Sequence, residues 1–137
     1  MDDLEKFVAA QAPLYESVLA ELRAGRKRTH WMWFVFPQIA GLGRSATARH
    51  YALASLSEAQ AYLAHALLGA RLRQCCALVL AVEGRSAHEV FGDPDELKFR
   101  SCLTLFAAAA PGEAVFAQCL EKYFGGVLDA GTLALIA

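Results

Sequence analysis

Residues 93–106 read DPDELKFRSCLTLF, and this stretch carries the helical pattern that decides the fold. Asp93 followed by Pro94 predicts an N-cap and a first helical position, because proline has no amide hydrogen to leave unpaired there. Apolar side chains then recur at i, i+3, i+4 and i+7, on one face of a helix: Phe99, Cys102, Leu103 and Phe106. We predict a helix that starts at Pro94, buries this face and ends before Pro111.

The same spacing repeats on both sides of this stretch. Buried stripes are predicted for Tyr15, Val18, Leu19 and Leu22, for Leu72, Cys76, Val79 and Leu80, and for Val115, Phe116, Cys119, Leu120 and Tyr123. N-caps are predicted at Ser45 and Asp129, and capping boxes at Ser57 with Gln60 and at Ser86 with Glu89. No segment alternates like a strand, although a short extended piece around Val35 is compatible with its aromatic neighbours. We predict an all-α fold, a compact single-domain multihelical bundle over residues 1–137.

The composition and charge of the chain argue against a disordered, a membrane-spanning and a secreted protein. Hydrophobic residues make up 56% of the 137 residues, which is enough to bury a core and argues against disorder. The apolar run that includes Ala77 to Val82 stops at Glu83 and is too short to cross a membrane. The net charge of −1 argues against nucleic acid as a partner, because the chain as a whole does not attract phosphates. The acidic start, Met1 to Glu5, lacks the basic region of a secretory signal.

The chain has four cysteines, and each lies on a predicted apolar stripe: Cys75, Cys76, Cys102 and Cys119. None belongs to a C-x-x-C pair and no two histidines have metal-binding spacing, so we expect no metal and no cofactor. Buried reduced thiols fit a reducing compartment, and we expect a cytoplasmic protein.

The first candidate for function is residues 26–38, RKRTHWMWFVFPQ. Arg26, Lys27 and Arg28 follow a predicted helix end, where cations complement the helix dipole without any further role. The tryptophans Trp31 and Trp33 are compatible with a core position. Cations beside aromatic rings are also the pattern that grips a nucleotide or single-stranded nucleic acid. Both readings stay open.

The second and third candidates have the same ambiguity. Gly41 to Ser45 is compatible with a plain capped turn or with an anion site of free amides beside Arg44. Lys98, Ser101 and Thr104 share the polar side of the helix from Pro94, as a solvated face or as the lining of a cleft. Asp95 lies one turn before Lys98. Each of these sets is open to a structural and to a functional reading.

Two histidines, His30 and His65, adjoin aromatic or apolar residues. A hydrogen-bonded histidine of the core is the default interpretation of both.

Three blocks of the sequence resemble the domain-of-unknown-function 1810 family: residues 30–45, 62–72 and 90–106. The resemblance runs from about Leu4 to Leu135. It implies an all-helical domain, common in bacteria, without an established activity. This chain departs from the family pattern in having Ala66 and Ala70 in place of prolines and Cys102 in place of a serine. Some members carry a calpastatin label, but calpastatin is a disordered, charged chain and this one is apolar.

The family's architecture also has a looser similarity to helical proteins that handle NAD- and ADP-ribose-type compounds. The first hypothesis is therefore a nucleotide-like small-molecule site, with hydrolysis as an added activity. Phosphate would be held by Arg28, Arg44 and Lys98, a base would stack on Trp31 or Trp33, and a proton would be moved by His30, Asp95 or Lys98; Gln38, Ser45 and Ser101 would complete the site. The alternative is a non-enzymatic protein-interaction module with exposed aromatic side chains.

Overall fold

The apolar stripe predicted for Phe99, Cys102, Leu103 and Phe106 is buried. We describe residues 4–137 from a computed structural model; Met1 to Asp3, part of the acidic start, lie outside the described residues. Ten helices occur in this part of the chain: α1 (Glu5–Gln11), α2 (Tyr15–Arg23), α3 (Met32–Val35), α4 (Ala46–Tyr51), α5 (Leu56–Ala64), α6 (Ala66–Ala81), α7 (Ala87–Phe91), α8 (Asp95–Ala109), α9 (Ala114–Phe124) and α10 (Ala130–Ile136). The all-α prediction is confirmed.

Helices α6 and α8 organise one shared core. Helix α8 packs against α5, α7, α9 and α10, and α6 packs against α1, α2, α5 and α9. Phe99, Leu103 and Phe106 of α8 are completely buried. The predicted stripe of α2 is buried through Val18, Leu19 and Leu22. A single cluster of apolar side chains therefore joins the N-terminal helices to the C-terminal ones.

Several predicted helix caps are present. The Ser45 hydroxyl accepts from the Ala48 amide at 3.1 Å, and Ser86 with Glu89 forms a complete capping box. Asp129 Oδ2 accepts from the Thr132 amide at 2.9 Å. These signals are local, so they could be identified from sequence alone.

Two predicted helix starts are wrong. Helix α5 is capped by Ser55, whose hydroxyl accepts from the Glu58 amide, so the cap lies two residues before Ser57. Helix α8 begins at Asp95, with Pro94 at the cap position and no side-chain cap, so Asp93 does not cap it. The peptide between Asp93 and Pro94 is cis.

Helix α6 begins before Gly69 and contains it. A Cβ atom at Gly69 would lie 2.1 Å from the Leu63 carbonyl oxygen, so the missing side chain lets α6 approach α5 closely. His65 is the α6 cap, because its Nδ1 accepts from the amides of Leu67 and Leu68 at 3.2 Å. The histidine predicted as a core residue is thus half-buried and caps a helix.

The aromatic segment is helical, although its sequence was also compatible with a short extended piece. Residues around Val35 form the short helix α3, and the extended pairing lies further on, as a parallel bridge between Ile39 and Leu53. The side-chain amide of Gln11 donates to the Phe34 carbonyl at 2.7 Å and fixes α3 to α1.

Among residues 4–137, no single helix is long and apolar enough to cross a membrane. Helices α5 and α6 pass on length and composition only when taken together, and they are bent by 94° to each other.

Candidate ligand-binding site

The three consecutive cations form a turn directly after α2. We call Arg26, Lys27 and Arg28 the cationic turn. Gly25 has φ of +70°, which ends the helix and reverses the chain. A Cβ there would lie 3.0 Å from Val82, so a side chain would be both strained and crowded. The Lys27 amide donates to the Val90 carbonyl at 2.7 Å, which ties the cationic turn to α7.

The Glu21 carboxylate holds the far end of this turn. Its Oε1 accepts from the amides of Arg28 and Thr29 at 2.7 and 3.0 Å and from the indole N–H of Trp31 at 3.0 Å. Its Oε2 accepts from the Thr29 hydroxyl at 2.7 Å. Burial raises the pKa of Glu21, but these hydrogen bonds outweigh it and hold the pKa below its ordinary value.

Asp95 brings two lysines from distant parts of the chain together. The Lys27 ammonium lies 2.8 Å from Asp95 Oδ2, and the Lys98 ammonium lies 3.7 Å from Oδ1. The Lys27 side chain is only 7% exposed and that of Asp95 19%, so water screens this pair weakly.

Each lysine also lies over an indole ring. Lys27 Nζ is 5.0 Å from the Trp31 ring centroid, and Lys98 Nζ is 5.5 Å from that of Trp33. Both distances are within cation–π range. We call Lys27, Trp33, Asp95 and Lys98 the lysine–tryptophan cluster. It adjoins the cationic turn, since Lys27 belongs to both.

The cationic turn lines an open hollow of about 390 Å³. Lys27 is neutralised by Asp95, whereas Arg26 and Arg28 are exposed and make no ion pair within residues 4–137. The two guanidinium groups outweigh the single Glu21 carboxylate at the turn, so the hollow keeps an excess of positive charge. Such an arrangement can bind an anion. Arginine suits phosphate in particular, because one guanidinium group can donate hydrogen bonds to two phosphate oxygens.

The two tryptophans have different environments. Trp31 is completely buried and its indole N–H is used by Glu21, so no ligand can stack on it in this conformation. Trp33 is half-buried beside Lys98. Of the two rings predicted from sequence, Trp33 is the one a ligand can reach.

Ser101 and Thr104 form neither a solvated face nor a cleft. Ser101 is 6% exposed and donates to the Leu97 carbonyl, and Thr104 is 1% exposed and accepts from the Asp129 amide at 3.0 Å. The Arg100 guanidinium lies 3.5 Å from Asp129. The segment leading into α10 therefore covers this side of α8, and Ser101 is not available to a ligand.

The remaining predicted site residues are not joined to the cluster. Ser45 caps α4, and the Gln38 carbonyl accepts from the Leu53 amide. Arg44 and His30 are exposed, and the structure gives their side chains no hydrogen bond or ion pair within the described residues. His30 lies between the cationic turn and Trp31 in sequence, which keeps it near the hollow.

Sequence reasoning missed Glu21 and gave Lys27 no role of its own. Lys27 could have been found within the run of three cations. Glu21 carries no local signal, because its four donors come from a turn that only the folded chain brings back to α2. Within residues 4–137, no group of three histidine, cysteine, aspartate or glutamate side chains could hold a metal ion.

Comparison with known proteins gives a family but no activity. The model of a family described as "Protein of unknown function (DUF1810)" matches residues 1–136. A crystal structure of a conserved hypothetical protein from Mycobacterium tuberculosis is 58% identical to this chain, with a TM-score of 0.97; the match covers 98% of this chain and 96% of that one. No curated protein matches the chain.

Proposed function

The chain belongs to the DUF1810 family of proteins of unknown function, and we propose that it binds a small phosphorylated ligand of the NAD or ADP-ribose type at the cationic turn. The observation that carries the proposal is the unneutralised charge of Arg26 and Arg28 around a hollow of about 390 Å³. This volume lies in the range of roughly 300–1,000 Å³ that small-molecule sites occupy.

The lysine–tryptophan cluster supports a ligand with a planar ring. Phosphate groups would occupy the hollow between Arg26 and Arg28, and a base would stack at Trp33 beside Lys98. Asp95 links Lys27 of the hollow to Lys98 at the ring, so one ligand could contact both parts. Arg44, Gln38 and Ser45 are not needed for this mode of binding.

A thermal-shift comparison tests binding. We expect ADP-ribose, NAD, ADP or inorganic pyrophosphate, at about 100 times its dissociation constant, to stabilise the fold by about 2.7 kcal/mol. The double variant Arg26→Gln/Arg28→Gln should abolish the shift, whereas the exposed Arg49→Gln on α4 should keep it. A flat response of the wild-type protein to all four compounds would contradict the proposal.

Hydrolysis of a bound ADP-ribose derivative is the added activity. Asp95 is paired with two ammonium groups, so its carboxylate oxygens are already engaged within the protein. We assign the proton transfer to His30, which is exposed next to the cationic turn. Chromatography of ADP-ribose and NAD after incubation should show cleavage that His30→Gln removes and His50→Gln retains. Intact ligands with the wild-type protein would limit the function to binding.

A protein-interaction module is the second candidate, and one observation favours it. Four apolar side chains between residues 127 and 135 are 40–57% exposed: Val127, Leu128, Leu133 and Leu135. They lie in the C-terminal segment, whereas the notable aromatic residues of α3 are buried or half-buried. A partner would therefore use the C-terminal segment. Binding by this surface would be lost in Leu133→Ser and unaffected by the cationic-turn variants.

We place this function in the cytoplasm. All four cysteines are free and buried, which is the usual state of thiols in a reducing compartment.

A further inference from the structure

The Glu21 carboxylate lies behind the cationic turn and receives four hydrogen bonds from it. Three N–H donors converge on Oε1, two from the backbone of Arg28 and Thr29 and one from Trp31. The fourth donor, the Thr29 hydroxyl, meets Oε2. These contacts fix the backbone of Arg28. They also fix the indole ring of Trp31, over which the Lys27 ammonium lies.

We infer that Glu21 is a positioning residue for the anion site, an inference that rests on the proposed function. The hydrogen bonds of Glu21 should strengthen the binding of an anion, whereas its negative charge should weaken it. The hydrogen bonds hold the arginines in one arrangement before the ligand arrives, which lowers the entropy cost of binding. The negative charge repels the same ligand.

Two substitutions separate these effects. Glutamine can place its amide oxygen at the position of Oε1 and keep the three N–H bonds, while its NH₂ group donates to the Thr29 hydroxyl. Glu21→Gln thus removes the charge and retains the geometry. Glu21→Ala removes both, so the difference between the two variants isolates the positioning role.

The experiment is calorimetric titration with inorganic pyrophosphate, a ligand with no ring to stack. We expect Glu21→Gln to bind at least as tightly as the wild-type protein. We expect Glu21→Ala to bind about tenfold more weakly than Glu21→Gln, the change that a loss of roughly 1.4 kcal/mol produces. Glu16→Ala, at an exposed position on the same helix, should bind like the wild-type protein.

Equal affinities of Glu21→Ala and Glu21→Gln would overturn the positioning role while leaving the proposed function intact. If the wild-type protein does not bind pyrophosphate, the same titrations are run with ADP-ribose. Absence of binding of all four compounds would overturn the proposed function and this inference with it. If Glu21→Ala does not fold, Thr29→Val replaces it, because it removes only the hydroxyl that meets Oε2. That variant should bind about two- to threefold more weakly, as expected for one hydrogen bond at an exposed position. Wild-type affinity would count against the inference.

Amide hydrogen exchange gives an independent readout. The Arg28 and Thr29 amides should stay protected in Glu21→Gln and exchange rapidly in Glu21→Ala. Unchanged protection in Glu21→Ala would show that Glu21 does not hold the turn.

Discussion

At the scale of single residues, Asp95 shows how one carboxylate can join two distant segments. It reaches Lys27 in the cationic turn and Lys98 one turn along α8. A nearly buried ammonium group without a partner would be costly, so Asp95 stabilises the fold. The same charge opposes an anion in the hollow. Stability and anion affinity should therefore respond to its removal in opposite directions.

We predict that Asp95→Asn lowers the free energy of unfolding by about 1–3 kcal/mol, because the charge-assisted bond to Lys27 is weakened. Its affinity for pyrophosphate should rise by about two- to tenfold, because a negative charge beside the Lys27 of the hollow is removed. Urea denaturation and calorimetric titration measure the two effects. Asp93→Asn is the control, because Asp93 is exposed and pairs with no cation in the described chain. Weaker binding by Asp95→Asn would indicate that Asp95 contacts the ligand or fixes the lysines for it.

At the scale of helices, the caps decide where each element begins. Ser55 and Ser57 are both compatible with a cap in sequence, and only Ser55 binds a free amide, that of Glu58. Glu58 accepts from the Ala54 amide at 3.0 Å, one residue before the cap, so it holds the chain that enters the helix. The two serines are thus a matched pair of the same residue type in one helix.

We predict that Ser55→Ala lowers the free energy of unfolding by about 0.5–2 kcal/mol, the usual cost of losing an N-cap. Ser57→Ala, at an exposed position inside α5, should change it by less than about 0.5 kcal/mol. Thermal and urea denaturation of the two variants measure the difference. Equal losses would contradict the position of the cap.

The contribution of Asp129, the cap of α10, to the stability of the fold depends on pH. Partial burial raises the pKa of Asp129, but the hydrogen bonds from Thr132 and the charge of Arg100 outweigh it, so the pKa is lowered. A carboxylate with a lowered folded pKa stabilises the fold fully above its unfolded value. That contribution is lost as the pH falls through the folded pKa.

We predict that Asp129→Asn costs about 1–2 kcal/mol at neutral pH, through the weakened cap and ion pair. Below about pH 4, where the ordinary aspartate pKa lies, the difference in stability between the variant and the wild-type protein should begin to shrink, and it should vanish as the pH falls through the lower folded pKa. Urea denaturation between about pH 3 and pH 7 tests this. Glu83→Gln, at an exposed position, should follow the wild-type curve throughout. A constant difference across the range would contradict the role of the charge.

At the scale of the whole molecule, the four cysteines belong to the shared core. All four are buried and free. Burial raises the pKa of Cys75 to about 11, and raises the pKa values of Cys76 and Cys102 well above the ordinary range. Reaction with disulfide reagents requires both access and a thiolate. Burial denies access to all four thiols, and the raised pKa values of Cys75, Cys76 and Cys102 also disfavour their thiolates.

We predict that no cysteine of the folded protein reacts rapidly with an aromatic disulfide reagent at neutral pH, and that all four react in denaturant. The reaction of the native protein should be limited by the rate of opening, so it should accelerate with urea. Absorbance of the released thiolate measures both. Rapid reaction of one thiol without denaturant would show that the core around it opens locally.

Most of the fold followed from local rules. The stripes of α2, α8 and α9 and the caps at Ser45, Ser86 and Asp129 depend on residues within one or two helical turns, and all were predicted. The errors at Ser57 and Asp93 arose where neighbouring residues compete for one cap, because the choice depends on how the helix packs. The cysteines were correctly placed in the core for the same local reason.

The candidate site depended on contacts across the chain. Sequence singled out Trp33, Asp95, Lys98 and the cations after α2, since residue type and charge can be read locally. Folding alone put Lys27 and Lys98 on one carboxylate, buried Trp31 against Glu21 and covered Ser101 with the segment before α10. Periodicity shows which side of a helix is apolar, but the partner that packs on its polar side is fixed only when distant segments meet.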